Sequence, residues 1–115
     1  MITDLWVSFN YGGWTISFSK KFNLPFPPFY GLSIDDSTED YENDIELATH
    51  DYCSTLISYS IQKEEFSVDV RNVWRDPVSD ETIDDILKTF TNTEWERHDT
   101  TDIDSLKELM SRKRI

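Results

Sequence analysis

Cysteine and glycine are scarce in this chain, with one Cys and three Gly in 115 residues. A lone Cys53 excludes an intramolecular disulfide and suits a reducing compartment, and with only two His it leaves no zinc-ligand spacing. Among so few glycines there is neither a phosphate-cradling loop nor a dinucleotide-binding pattern; Gly12 and Gly13 read as a turn. No segment approaches the roughly 18 apolar residues of a membrane span, and the amino terminus, MITDLWVSFN, lacks the basic region and apolar core of a leader. Positive charge is also in short supply: 11 Lys and Arg stand against 23 Asp and Glu, a net charge of −12. Such a surface repels phosphate backbones and anionic lipid, so nucleic acid and membrane are disfavoured as partners and a basic protein is admitted. A cytoplasmic protein is expected.

What is present argues for a folded chain. Four Trp, five Tyr and seven Phe supply apolar surface that a disordered chain of this charge would lack. The length fits one domain, residues 1–115, burying roughly two-thirds of its unfolded surface. Charge is unevenly spread: residues 35–52 sum to −8 and 76–104 to −8, while 53–75 sum to zero.

Periodicity divides the chain into strands and then helices. LWVSF and WTISF alternate on either side of NYGG, which predicts a hairpin with Leu5, Val7, Phe9, Trp14, Ile16 and Phe18 on one face and Trp6 with the hydroxyl residues on the other. CSTLISYSIQ and FSVDVRNVW predict a second, with Cys53, Ile57, Tyr59, Ile61, Phe66, Val68, Val70 and Trp74 inward. Ile83, Ile86, Leu87 and Phe90 follow helical spacing behind Ser79 as N-cap. Ile103, Leu106, Leu109 and Met110 form a second stripe, behind a Thr101 and Asp104 capping pair. NTEWERH is a candidate edge strand. In STEDYENDIELATHDY, Tyr41, Ile45, Ala48 and Tyr52 fit a helix, whereas Ile45, Leu47 and Thr49 alternate as a strand; loop then strand is preferred. The expected fold is α+β, an antiparallel sheet of five or six strands with two C-terminal helices packed on one face.

LPFPPFYG, residues 24–31, contains the P-x-x-P spacing of a polyproline ligand, but Phe22 stands where the flanking basic residue belongs. The preferred reading is a crossover loop whose Phe26 and Phe29 cap one end of the core, with a partner-facing role as the alternative.

Catalytic patterns are thin. Cys53 with His50 or His98 offers the elements of a thiol site, yet the alternation buries the cysteine. Asp80, Glu81, Asp84 and Asp85 complement a helix dipole. The run from Asp40 has oxygens at calcium-loop positions 1, 3 and 5, but Ile45 replaces the required Gly and Asp51 the terminal Glu. No enzyme, cofactor or metal is assigned.

In size, charge and lack of catalytic motifs the chain resembles bacterial immunity proteins, a similarity of character without a shared motif. The resemblance implies a non-enzymatic acidic protein, of immunity-protein or antitoxin type, that binds and neutralises a basic partner such as a nuclease toxin. Asp35, Asp36, Glu39, Asp40, Glu42 and Asp44 have no Lys or Arg nearby in sequence to balance them, and with Tyr41 and Trp95 as aromatic anchors they form the candidate binding surface. Two other readings stay open: a ligand-binding module with a pocket between sheet and helices, and a small carboxylate-based enzyme.

Overall fold

The computed structural model describes residues 1–37, 44–48 and 53–114. Strands β1 (Ile2–Tyr11) and β2 (Trp14–Asn23) form the first hairpin, with Tyr11 opposite Trp14 across the two glycines. Gly12 has φ +56°, the left-handed region that a side chain would strain, which is why glycine stands at this turn. Val7 lies opposite Phe18 and Phe9 opposite Ile16, so alternation places both apolar sets on one face. Strands β3 (Ser33–Asp35) and β4 (Asp44–Glu46) make a small separate antiparallel pair, with Ile34 opposite Ile45. Strands β5 (Cys53–Ser60) and β6 (Glu65–Val73) form the second large hairpin. Helix α1 (Asp80–Phe90), the two-residue strand β7 (Glu96–Arg97) and helix α2 (Ile103–Lys113) complete the chain.

The main sheet has the order β5-β6-β1-β2-β7. The α+β class and the helices at the carboxyl end are as expected, but the sheet is mixed, because β1 and β6 run parallel with Leu5 beside Val68 and Val7 beside Val70. Alternation specifies which residues share a face and is blind to the direction of the neighbouring strand. The direction follows from the long connection after β2, which carries the chain past the first hairpin to the far side of β6 before β5 begins.

The core lies between one face of this sheet and both helices. Leu5, Val7, Ile16, Phe18, Val68 and Val70 meet Ile83 and Phe90 of α1 and Leu106 and Met110 of α2, and the small β3–β4 pair adds Ile34, Ile45 and Leu47. Phe18 and Phe90 stack with centroids 4.1 Å apart. Trp6, Ser17, Ser19, Ser58, Ser67, Asp69 and Arg71 belong to the opposite, hydroxyl-rich face.

Three local expectations are corrected. Of the residues expected inward in the second hairpin, Tyr59 near the end of β5 is 51% exposed and Ile61, in the turn beyond it, 84%, because the strand ends at Ser60 and Glu64, with φ +54°, helps reverse the chain. Ser79 does cap α1, its Oγ accepting from the Thr82 amide at 3.2 Å, but the cap of α2 is Asp102. Its Oδ1 accepts from the Asp104 and Ser105 amides, whereas the Thr101 hydroxyl donates to the carbonyl of Thr15 and ties the approach to α2 onto β2. Phe26 and Phe29 are 42% and 52% exposed, so the loop of residues 24–31 does not cap the core with its phenylalanines; they rest on one another, centroids 6.0 Å apart, and the buried residue there is Pro28.

Candidate functional site

The acidic segment is folded at its two ends. Where β3 pairs with β4, Ile34 and Ile45 turn inward, and period-two geometry sends Ser33, Asp35, Asp44 and Glu46 outward, all exposed. Asp35 lies directly opposite Asp44, a like-charge pairing that weakens a sheet. Asp44 accepts a hydrogen bond from the Ser33 hydroxyl at 2.7 Å, and Asp35 accepts from the amide and hydroxyl of Ser37. Among the described residues no Lys or Arg pairs with Asp35, Asp44 or Glu46. Glu39, Asp40, Tyr41 and Glu42 lie outside the described residues, as does most of the calcium-like run.

Asp36 and Trp95 belong elsewhere. Trp95 is 5% exposed and packs edge-on against Phe90 and Phe22, with centroids 5.2 and 5.7 Å away. Its indole N–H donates to Asp36 Oδ2 at 3.1 Å, and Lys20 Nζ reaches the same oxygen at 2.8 Å. These two candidate residues are brought together, but as a tie between the connection after β3 and the core. They present a partner with little surface.

The exposed aromatic surface is instead the loop of residues 24–31. Phe26, Phe29 and Tyr30 are all exposed, Tyr30 at 56%, on a segment stiffened by three prolines. The Gly31 amide donates to the Leu47 carbonyl at 2.5 Å, and the Leu47 amide to the Leu32 carbonyl at 2.8 Å. These bonds extend the β3–β4 ladder to Gly31, so the end of the aromatic loop is fastened to the strand pair that bears the carboxylates, at the Glu46 end of its ladder. Composition alone put these side chains in the core; the P-x-x-P spacing was the available signal for exposure.

The acids of α1 are compensated more fully. Lys107 Nζ of α2 lies 2.5 Å from Asp84 Oδ1, and Arg114 reaches Asp80 at 3.3 Å. The hydrogen bond to Asp84, with the nearby charges of Asp80 and Asp104, raises the Lys107 ammonium above its ordinary value.

A cleft of about 410 Å³ opens between the sheet, α1 and β4. Val7, Phe9, Val70, Ile86 and Phe90 contribute apolar surface, Asp44 and Glu46 contribute carboxylates, and no Lys or Arg is among its lining residues. Cys53 also lines it; burial and the charge of Glu46 push the thiol pKa up, the wrong direction for a nucleophile.

On the opposite face, the Ser19 hydroxyl lies 2.5 Å from His98 Nε2, and the imidazole packs on Trp6 with centroids 4.3 Å apart. Glu96 approaches the same Nε2 at 3.7 Å, whereas an orienting acid in a serine triad must hold the other ring nitrogen. Ser19 is also buried. His98 follows β7 at one edge of the sheet and Cys53 lies in β5 at the other, four strand spacings or roughly 19 Å away, so they form no thiol–imidazole pair. His50 lies outside the described residues. Among the described residues no three His, Cys, Asp or Glu side chains are grouped to hold a metal ion, and no helix is long and apolar enough to cross a membrane.

Comparison of the chain with protein-family models, curated proteins and solved structures gives no match.

Proposed function

We propose that this chain is a non-enzymatic acidic interaction protein that binds and neutralises a basic protein, in the manner of an immunity protein or antitoxin facing a nuclease toxin. The observation that carries this reading is that the loop exposing Phe26, Phe29 and Tyr30 is tied by backbone hydrogen bonds at Gly31 and Leu32 to the strand pair bearing Asp35, Asp44 and Glu46, carboxylates with no Lys or Arg partner among the described residues. Binding energy concentrates in aromatic anchors that lose water on contact, while surrounding charges steer the encounter and select the partner. A proline-stiffened loop loses less entropy when it docks. Glu39, Asp40, Tyr41 and Glu42 lie between β3 and β4 in sequence and outside the described residues, and they remain candidates on the sequence alone.

The test is a pull-down from the native host with the parent and with a Phe26→Ala, Phe29→Ala variant, followed by association kinetics on the captured protein. The variant is expected to keep its fold, since these side chains are already exposed, with a stability loss below about 1 kcal/mol. It should bind at least about tenfold more weakly, chiefly through faster dissociation. Asp35→Asn with Asp44→Asn should slow association at low salt and converge with the parent at high salt. A captured basic partner that binds both variants as it binds the parent would place the interface elsewhere.

A second reading is favoured by the cleft. Its apolar floor and two carboxylates suit a small ligand with an apolar body and a cationic head, which would make the chain a ligand-binding module. Titration with n-hexylammonium and n-hexanoate separates the readings. Saturable amide shifts around Val7, Val70 and Phe90 with the amine alone support the module.

A further inference from the structure

The two edges of the main sheet are unlike. The β7 edge is two residues long, and both, Glu96 and Arg97, are charged. Shortness and charge are the usual protections of an exposed edge. The β5 edge has neither. It is eight residues long, and from Cys53 through Gln62 it contains no charged residue and no proline, in a chain that is 30% charged. Pairing with β6 runs unbroken from Cys53 opposite Asn72 to Ser60 opposite Glu65, so no bulge twists the edge away. Among the described residues, no backbone–backbone hydrogen bond reaches β5 from an element other than β6; the Thr55 hydroxyl donates to the Ala48 carbonyl at 2.8 Å and ties down the start of the strand, which leaves Leu56–Ser60 as the open run. Three exposed apolar side chains accompany it: Leu56 at 63%, Tyr59, and Ile61 in the following turn.

We infer that β5 pairs antiparallel with β5 of a second copy, joining two five-stranded sheets into one continuous sheet across a two-fold axis. Charge selects this occupant. Two copies of net charge −12 repel over most of their surfaces, and the neutral edge is where they approach at least cost. Glu46 lies near Cys53 at one end, but from Leu56 to Gln62 the edge has no charge of its own and the flanking β6 acids Asp69 and Glu65 are paired with Arg71 and Lys21, so a basic partner gains little along that run. A two-fold axis normal to the sheet keeps both helical layers on one side and consumes both β5 edges, so the assembly closes as a dimer. The β3–β4 acids and the aromatic loop belong to other elements, and the inference is independent of the function proposed above.

The contact is one strand wide, so the dimer should be concentration-dependent, and because the copies repel, sodium chloride should strengthen it. The experiment is sedimentation velocity on the full chain from micromolar to sub-millimolar concentration, at low and at moderate salt. The expected result is a dimer that grows with concentration and salt, and that Leu56→Glu with Ser58→Glu weakens at least about tenfold, with an unchanged circular dichroism spectrum. A monomer throughout, or a dimer that the double variant leaves intact, overturns the inference. Should the variant fail to fold, hydrogen exchange on the parent decides. Amides of residues 56–60 must exchange more slowly at high than at low protein concentration, and equal rates overturn the inference as well.

Discussion

Asp99 is the residue whose removal should be felt most sharply outside the apolar core. It follows β7 and precedes α2, and its side chain is 3% exposed. Oδ1 accepts from the Ser17 amide of β2 at 3.2 Å and from Arg97 Nε at 2.9 Å; Oδ2 accepts from Arg97 Nη2 at 2.8 Å and from the Thr101 amide at 3.1 Å. Since β7 is only two residues long, this carboxylate carries the pairing beyond the end of the strand, alongside the His98 amide bond to the Ser17 carbonyl at 3.0 Å. Asp99→Ala leaves two backbone amides and a guanidinium without this acceptor. Breaking a buried ion pair costs about 3 to 5 kcal/mol; because Arg97 is 39% exposed and can turn to water, the low end applies, about 3 kcal/mol. For a domain of this size that is a fall in Tm of about 12 °C. Asp99→Asn should recover little, because its amide group turns a donor toward donors.

The pH dependence supplies an independent check. Burial by itself would raise the Asp99 carboxyl, but the hydrogen bonds and charge of Arg97 and the amides of Ser17 and Thr101 outweigh it and hold the group below its ordinary value. A depressed folded-state value means that the stabilisation is complete above the unfolded-state value, about 3.9, and is lost as pH falls through the folded one. The stability gap between parent and Asp99→Ala, measured by urea unfolding, should therefore be constant from about pH 7 to 5 and narrow progressively as pH falls below about 4. A variant within about 2 °C of the parent at neutral pH, or a gap that does not narrow below about pH 4, would refute this account.

Thr3 is fully buried, and its hydroxyl has no hydrogen-bond partner among the described residues; Thr3→Val should raise stability by about 1 kcal/mol, and a lower Tm would reveal a partner for that oxygen. With 23 acidic residues against 11 basic ones, thermal stability should rise between low and moderate sodium chloride as self-repulsion is screened, and mildly acid pH should relieve part of the same repulsion. A flat salt response would mean that the acids are neutralised within the fold.

Most of the fold was legible where one physical rule dominates. Both large hairpins, α1 with its Ser79 cap, and β7 inside NTEWERH follow from periodicity and capping, because burying one face forces alternation in strands and a stripe in helices. Ile45 and Leu47 buried on either side of exposed Glu46 agree with the preferred strand reading of that stretch. Parallel pairing of β1 with β6 was not legible, since it depends on how a long connection crosses the fold. Nor was the exposure of Phe26 and Phe29. An aromatic side chain has a general preference for the interior, but the interior has finite room, and Trp95, Phe90 and Phe18 already fill this end of it.

The candidate site shows the same division at the level of single carboxylates. In sequence, Asp35 and Asp36 are equivalent members of one acidic run. Strand geometry separates them: Asp35 points outward opposite Asp44, while Asp36 is drawn down to Lys20 and the Trp95 indole. Replacing Asp36 would leave the indole N–H and the Lys20 ammonium without that acceptor, so the loss would register first as instability, whatever the partner. Replacing Asp35 should relieve a repulsion and cost the isolated protein little. Acids that the fold tolerates without needing them are the ones whose presence calls for a binding explanation. By that criterion Asp35, Asp44 and Glu46 carry the functional reading, and Asp36 and Trp95 hold the surface on which they stand.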